Sequence, residues 1–190
     1  DLVTLDLSLS AVGGGDGHVL AFKWTGHEPT NELEALLEVN RAGDFDAFAR
    51  GASKFGSPAQ NVIYADVDGN IGYVLAGRIP IRRNGRGTTP VPGWHAPGPD
   101  DFEWTGFVPF DAQPKLYNPE EGFIATANNK TVTEDYPFYI SSYWEPPYRI
   151  RRIRERIRES SRHDAGTVRA LQLDVHSLEA EEFVRDVVSP

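Results

Sequence analysis

The sequence contains no cysteine and no methionine, and lysine is scarce: 4 Lys stand against 15 Arg in 190 residues. Without cysteine there is no disulfide, no thiolate nucleophile and no Cys-ligated zinc, and the redox compartment stays open. No apolar run approaches the ~20 residues of a membrane-spanning helix. No signal-peptide pattern is present, and a chain opening Asp-Leu-Val-Thr without an initiator Met is expected to be a processed product or a fragment. The net charge of −9 works against broad attraction to nucleic acid or an anionic membrane, so neither is expected as a partner.

What is there suits a folded chain of mixed α and β class, with 10 Phe, 7 Tyr and 4 Trp to build a core. Residues 1–190 are read as a single domain piece. Leu5, Leu7 and Leu9 alternate with Asp6, Ser8 and Ser10, the period of a half-buried strand. Gly13-Gly14-Gly15-Asp16-Gly17 makes a turn, lacking the Lys-Ser/Thr ending of a phosphate loop, and residues 18–24 form the returning strand. Asn31 and Glu34 have capping-box spacing ahead of a helix carrying Leu33, Leu36, Leu37 and Val39. Asp44 caps a second helix with Phe45, Phe48, Ala49 and Ala52 on one face. Strands at 61–67 and 71–76 flank Asp68-Gly69, a hairpin signal. Asp66-Val67-Asp68-Gly69-Asn70 superficially opens like a calcium loop. Its twelfth position is Gly77 and its glycine comes too early, so a turn is expected.

Residues 78–119 form a Pro/Gly/aromatic-rich segment without clear periodicity, read as an ordered excursion pinned by Trp94, Trp104, Phe107 and Phe110. A strand over 123–127 then ends in Asn128-Asn129, followed by an aromatic loop through Tyr136, Phe138, Tyr139, Tyr143 and Trp144. Pro146-Pro147 opens a helix with Ile150, Ile153 and Ile157 inward. Two short helices follow, with Val168, Leu171 and Val175, then Leu178, Phe183 and Val187, inward.

The chemistry is confined to few residues. His18, His27, His95, His163 and His176 are dispersed, with no metal-ligand spacing. Ser177 follows His176 directly, but no nucleophile-elbow sequence surrounds it. Residues 149–162 hold seven Arg against Glu155 and Glu159. A basic helix could lie on phosphates; a solvated face whose Arg side chains pair with acidic groups is the simpler reading. Asn128-Asn129 could simply start a turn, because Asn tolerates left-handed backbone angles. A carboxamide at a strand end is also an uncharged donor that can face a developing oxyanion. Arg149, directly after Pro146-Pro147-Tyr148, sits at a fixed spot in a first helical turn. Together these make half a site: an oxyanion donor and a cationic orienter, without a nucleophile or base.

Several motifs in order carry a family likeness. They run from Ala21-Phe22-Lys23-Trp24-Thr25 and Asn40-Arg41-Ala42 through Pro58-Ala59-Gln60-Asn61-Val62-Ile63-Tyr64-Ala65-Asp66-Val67-Asp68-Gly69-Asn70-Ile71-Gly72-Tyr73. Gly77-Arg78-Ile79-Pro80, Pro90-Val91-Pro92-Gly93-Trp94, Glu103-Trp104-Thr105-Gly106 and Pro109-Phe110 follow. Asn118-Pro119, residues 122–129, Tyr136-Pro137, Tyr148-Arg149-Ile150 and Arg152-Ile153 complete the series. With these the sequence resembles the β-chain of the penicillin acylase (penicillin amidase) family of N-terminal nucleophile hydrolases, over most of its length.

The resemblance implies an αββα fold and a precursor that cuts itself, exposing a Ser at the new β-chain N-terminus. That Ser attacks an amide carbonyl while its own α-amino group serves as base, through a water. By motif position, Asn128 matches the oxyanion-hole Asn, and Arg149 matches the Arg that orients it and the nucleophile's amine. The nucleophile itself is absent from this chain: Ser8 and Ser10 lie within the expected first strand and have no free amine. The chain is therefore expected to be an internal β-chain fragment, inactive alone, whose partners are the remainder of the β-chain and the α-chain. The parent would cleave acyl amides such as β-lactam side chains. Alternatives are an N-acyl homoserine lactone acylase and a non-catalytic binding domain of a dead homologue. No cofactor is expected, and the family's calcium site finds no carboxylate at Phe138-Tyr139. The family likeness suggests a periplasmic or secreted parent.

Overall fold

The computed structural model describes residues 21–94 and 97–188. The expected strand through Leu5, Leu7 and Leu9, the turn at 13–17, and His18 and His95 lie outside the described residues, as do Ser8 and Ser10. The chain divides into two compact units: Asp1–Pro119 with Asp135–Ser142, and Glu120–Glu134 with Tyr143–Pro190. Helices mix with sheets in which every pairing is antiparallel, the α+β class expected.

In the first unit, helix α1 (Glu32–Arg41) and helix α2 (Phe45–Ala52) form a helical pair. Strands β1 (Gln60–Ala65), β2 (Ile71–Ala76) and β5 (Lys115–Tyr117) make a sheet in the order β1-β2-β5. The core lies between α2 and this sheet: Phe48, Ala52, Tyr64, Val74 and Ala76 are buried, with Phe45, Ala49 and Val62 packed against them. This is the α2 face expected from the spacing, and Asp44 caps the helix by accepting from Ala47 N–H at 2.7 Å. Gly72 is part of the fit, since a Cβ there would meet the Phe45 ring at 2.3 Å. Phe45 also stacks on Tyr117 with ring centroids 4.7 Å apart.

The β1–β2 connection is a hairpin turn built on Asp66. Its carboxylate accepts from the Asp68 and Asn70 backbone N–H groups at 3.0 and 2.8 Å, and from the Asn70 side chain and Tyr64 hydroxyl, each at 2.8 Å. Gly69 takes the left-handed angle the turn requires, φ +88°. Burial, and then the hydrogen bond to Asp66, push the Tyr64 hydroxyl up to about 12.

Within residues 78–119, strands β3 (Pro80–Arg82) and β4 (Trp104–Phe107) pair antiparallel. Buried Asp101 organises the connecting loop by accepting from Gly98 N–H and Glu103 N–H, each at 2.9 Å, and from Arg83 at 3.0 Å. Cations lie over the aromatic rings, with Arg78 4.2 Å from the centre of Phe107 and Lys23 5.0 Å from Trp104.

The second unit holds helix α3 (Tyr148–Arg158), helix α4 (Ala165–Gln172) and helix α5 (Leu178–Phe183), which runs on as a π turn over Val184–Val188. Ile150 on α3 is buried. Asp164 and Thr167 form a capping box on α4, and the Ser177 hydroxyl caps α5 by accepting from Ala180 N–H. The arginines of α3 beyond Arg149 engage carboxylates. Arg151 reaches Glu182 at 2.8 Å, Arg152 and Arg156 share Asp174 at 2.7 and 3.2 Å, and Arg154 and Arg158 converge on Glu121.

Four expectations need correction. No strand forms over 123–127: the segment is irregular and joins neither sheet among the described residues. Of the strand expected at 18–24, the described part holds one bridging residue, Ala21, before the chain turns at Thr25–His27, where Trp24 packs edge-on against His27. Asn31 makes no side-chain cap on α1, and the helix buries Ala35 (1% exposed) while Leu33 is 73% exposed. The Glu34 of the expected box pairs instead with Lys54 at 2.6 Å. In the C-terminal part Val168, Val175, Phe183 and Val187 are exposed rather than inward, and Val175 lies between α4 and α5 rather than on a helix.

Two outcomes follow from these contacts. The carboxylate of Glu32 accepts from the Thr30 hydroxyl, from Ser57 N–H at 2.9 Å and from Gly56 N–H at 3.2 Å. These donors, the Thr30 hydroxyl foremost, hold it down at about 2 from an ordinary 4.5. A carboxyl depressed on folding stabilises the fold above its unfolded value and loses that contribution as pH falls through the folded one. Urea unfolding should therefore show Glu32→Gln less stable than the native chain at pH 7, with the gap closing between pH 4.5 and 2. A gap constant across that window would contradict this assignment. The paired α3 arginines should also leave the chain unretained on immobilised DNA at low salt, whereas retention that weakens as salt rises would mark a phosphate-binding face.

Candidate active site

The candidate residues meet within the second unit. Gly122 takes φ +75°, and the chain then runs half-buried through Phe123, Ile124, Ala125 and Thr126 to buried Ala127. There it bends, and Asn128 adopts φ +60°, the left-handed region that Asn enters more readily than most residues. The turn tendency of the Asn pair is thus real, but the two side chains do different things. Asn129 Oδ1 accepts from Ala127 N–H at 3.0 Å, and its Nδ2 donates to the Lys130 carbonyl at 2.9 Å. Asn128 turns its side chain to another element.

That element is α3. Pro147 is its N-cap, and Arg149 is the second helical residue. The Arg149 Nη2 donates to Asn128 Oδ1 at 3.0 Å. A guanidinium has donors only, so the oxygen of the carboxamide must face it. The amide Nδ2 is then held on the opposite branch, and no described residue accepts from it. A cation near the start of a helix gains nothing from the helix dipole, which favours anions there. Its position is accounted for by the partner it holds. The guanidinium also withdraws electrons from the amide oxygen, which makes the Nδ2–H groups stronger donors.

The Asn128 main chain is fixed as well, because its carbonyl accepts from Glu145 N–H at 2.9 Å. Asn128 is thereby held at both its backbone and its side chain. Nothing in the sequence marks Glu145, since the group it contributes is a backbone N–H common to nearly every residue. Both Asn128 and Arg149 are solvent-exposed among the described residues. The arrangement can present an uncharged, pre-oriented N–H donor beside a fixed positive charge.

Other titratable groups are engaged elsewhere. His176 Nε2 lies 3.0 Å from Glu181, His163 Nε2 lies 3.0 Å from the Ile157 carbonyl, and Ser177 serves as a helix cap. A surface groove of about 400 Å³ in the second unit is lined by charged residues including Arg151, Glu155 and Arg185, with neither Asn128 nor Arg149 in its wall. Among the described residues, no three His, Cys, Asp or Glu are grouped for a metal.

Comparison with known proteins bears on this arrangement. The family model described as penicillin amidase matches residues 5–190. The penicillin acylase 2 proenzyme of Pseudomonas sp. (strain SE83) is 39% identical over 119 residues, covering 61% of this chain and 15% of that protein. The acyl-homoserine lactone acylase QuiP of Pseudomonas fluorescens (strain Pf0-1) is 30% identical over 167 residues, covering 88% of this chain and 20% of that protein. Among solved structures, a thermostable penicillin G acylase from Alcaligenes faecalis aligns with a TM-score of 0.55 and 29% identity, covering 74% of this chain and 24% of that one. The chain spans no more than about a fifth of the length of these two curated relatives.

Proposed function

The chain belongs to the penicillin amidase family, and from that premise we propose that its parent is an amidohydrolase cleaving the amide of N-acylated amines. In this reading Asn128 donates to the oxyanion and Arg149 orients it. The nucleophile is an N-terminal Ser outside the present residues, brought to the site by the remainder of the β-chain and the α-chain. This chain alone does not turn over. The Ser hydroxyl adds to the amide carbon as its proton passes, through a water, to the Ser α-amine. The carbonyl electrons move onto oxygen, where Asn128 Nδ2 meets the developing charge without adding a charge of its own. Collapse breaks the C–N bond, the amine leaves with the proton, and water then hydrolyses the acyl ester. The fixed Arg149 cation favours the neutral, basic form of the amine.

The observation that carries this reading is the 3.0 Å bond from Arg149 to Asn128 Oδ1, which commits the amide N–H to the other side. The acyl-amide class has two branches among the relatives, penicillin acylases and acyl-homoserine lactone acylases. The second earns its place by aligning over 88% of this chain. The parent is assayed on an acylated β-lactam and on an N-acyl homoserine lactone, and the better substrate identifies the branch. On that substrate Asn128→Ala should lose ~10²–10³ in turnover, the scale of one oxyanion donor. Asn128→Gly, which accepts φ +60° without strain, should lose as much while folding normally. Undiminished turnover in the glycine variant removes Asn128 from the site.

A further inference from the structure

The oxyanion role proposed for Asn128 leaves open how a non-glycine residue is kept at φ +60° in an exposed turn. For L residues other than glycine this region is disfavoured, and it persists where the surroundings over-determine it. Three hydrogen bonds do so here. The Glu145 N–H holds the Asn128 carbonyl at 2.9 Å. The other two both come from Asn129, whose side chain spans the turn from Ala127 N–H at 3.0 Å to the Lys130 carbonyl at 2.9 Å. The Ala127 end is anchored in buried structure, so the clamp ties the turn to a fixed point rather than to another mobile one.

We propose that Asn129 is a positioning residue for the amidase site: its carboxamide closes the 127–130 turn and so keeps the neighbouring Asn128 side chain on Arg149 with Nδ2 outward. The proposal rests on the oxyanion reading of Asn128. The two adjacent carboxamides then have separate tasks, one facing the reacting atoms and one facing the backbone that carries it. Asn129 Oδ1 is the acceptor that Ala127 N–H has among the described residues. Without the clamp the turn can relax toward negative φ at Asn128, and its side chain then swings off the guanidinium.

The test is a double-mutant cycle in the processed parent enzyme, with Asn129→Ala and Asn128→Gly made singly and together, and with kcat, KM and thermal melting recorded for each. Asn129→Ala should lower kcat about tenfold, the scale of a lost hydrogen bond or two, at an unchanged KM. In the Asn128→Gly background the same substitution should cost nothing further in kcat, because the group it positions is gone. If the alanine variant does not yield folded enzyme, Asn129→Gln replaces it in the cycle. That variant keeps the amide but displaces it by one methylene, and the same non-additive loss is expected, smaller in size. Native kcat in Asn129→Ala, or an equal loss in both backgrounds, overturns the positioning role. An unaffected Asn128→Gly enzyme overturns the oxyanion reading instead, and separates that failure from this one.

Discussion

A guanidinium cannot accept a hydrogen bond, and the site proposed here depends on that asymmetry. With Arg149 Nη2 on Asn128 Oδ1 at 3.0 Å, the two ends of the carboxamide cease to be interchangeable, and the N–H end is fixed before any substrate arrives. An amide free to rotate would have to be oriented during the reaction, at the cost of the electrostatic advantage that preorganised donors provide. Three neighbouring features of the second unit hold this contact. Pro147 starts α3 two residues before Arg149, the Asn129 bridge closes the turn beneath Asn128, and Glu145 pins its carbonyl.

The remaining arginines of α3 show how the same residue type serves a different purpose a few positions on. Arg152 and Arg156 share Asp174, and Arg154 and Arg158 share Glu121. These pairs tie α3 to the segments before and after it in the chain. Individually, exposed pairs contribute little. As a set they give the charged faces of α3 defined partners, while Ile150 anchors the apolar one. Arg149 is distinguished from them by having an amide rather than a carboxylate as its partner. A carboxylate in that place would neutralise the cation and repel a developing oxyanion.

Local rules carried the reading of the sequence where the structure is locally determined. The cap at Asp44 and the apolar spacing of Phe45, Phe48, Ala49 and Ala52 specify α2 and its buried face, and Asp68-Gly69 between two apolar runs specifies the hairpin. The rules failed where burial depends on what lies opposite. Leu33, Leu36 and Leu37 mark an apolar stripe on α1, yet periodicity cannot tell that small Ala35 is the residue buried. Ile124 and Thr126 favour extended backbone, but pairing needs an edge that no local pattern supplies. At the site, the residue types and the proline pair made Asn128 and Arg149 visible one by one. That they bond across 21 positions is a tertiary fact, and the clamp by Asn129 is legible only once the backbone of Asn128 is seen in the left-handed region.

The central claim is that Asn128 points a fixed N–H at the reacting oxygen. It is tested most directly by a crystal structure of the processed parent with a tetrahedral analogue of amide hydrolysis attached to the nucleophile. The account predicts Asn128 Nδ2 about 2.7–3.1 Å from the oxygen that mimics the oxyanion, with Arg149 still bonded to Oδ1. An analogue whose oxygen is held by other donors, with Asn128 turned away or Arg149 released from it, would contradict the account.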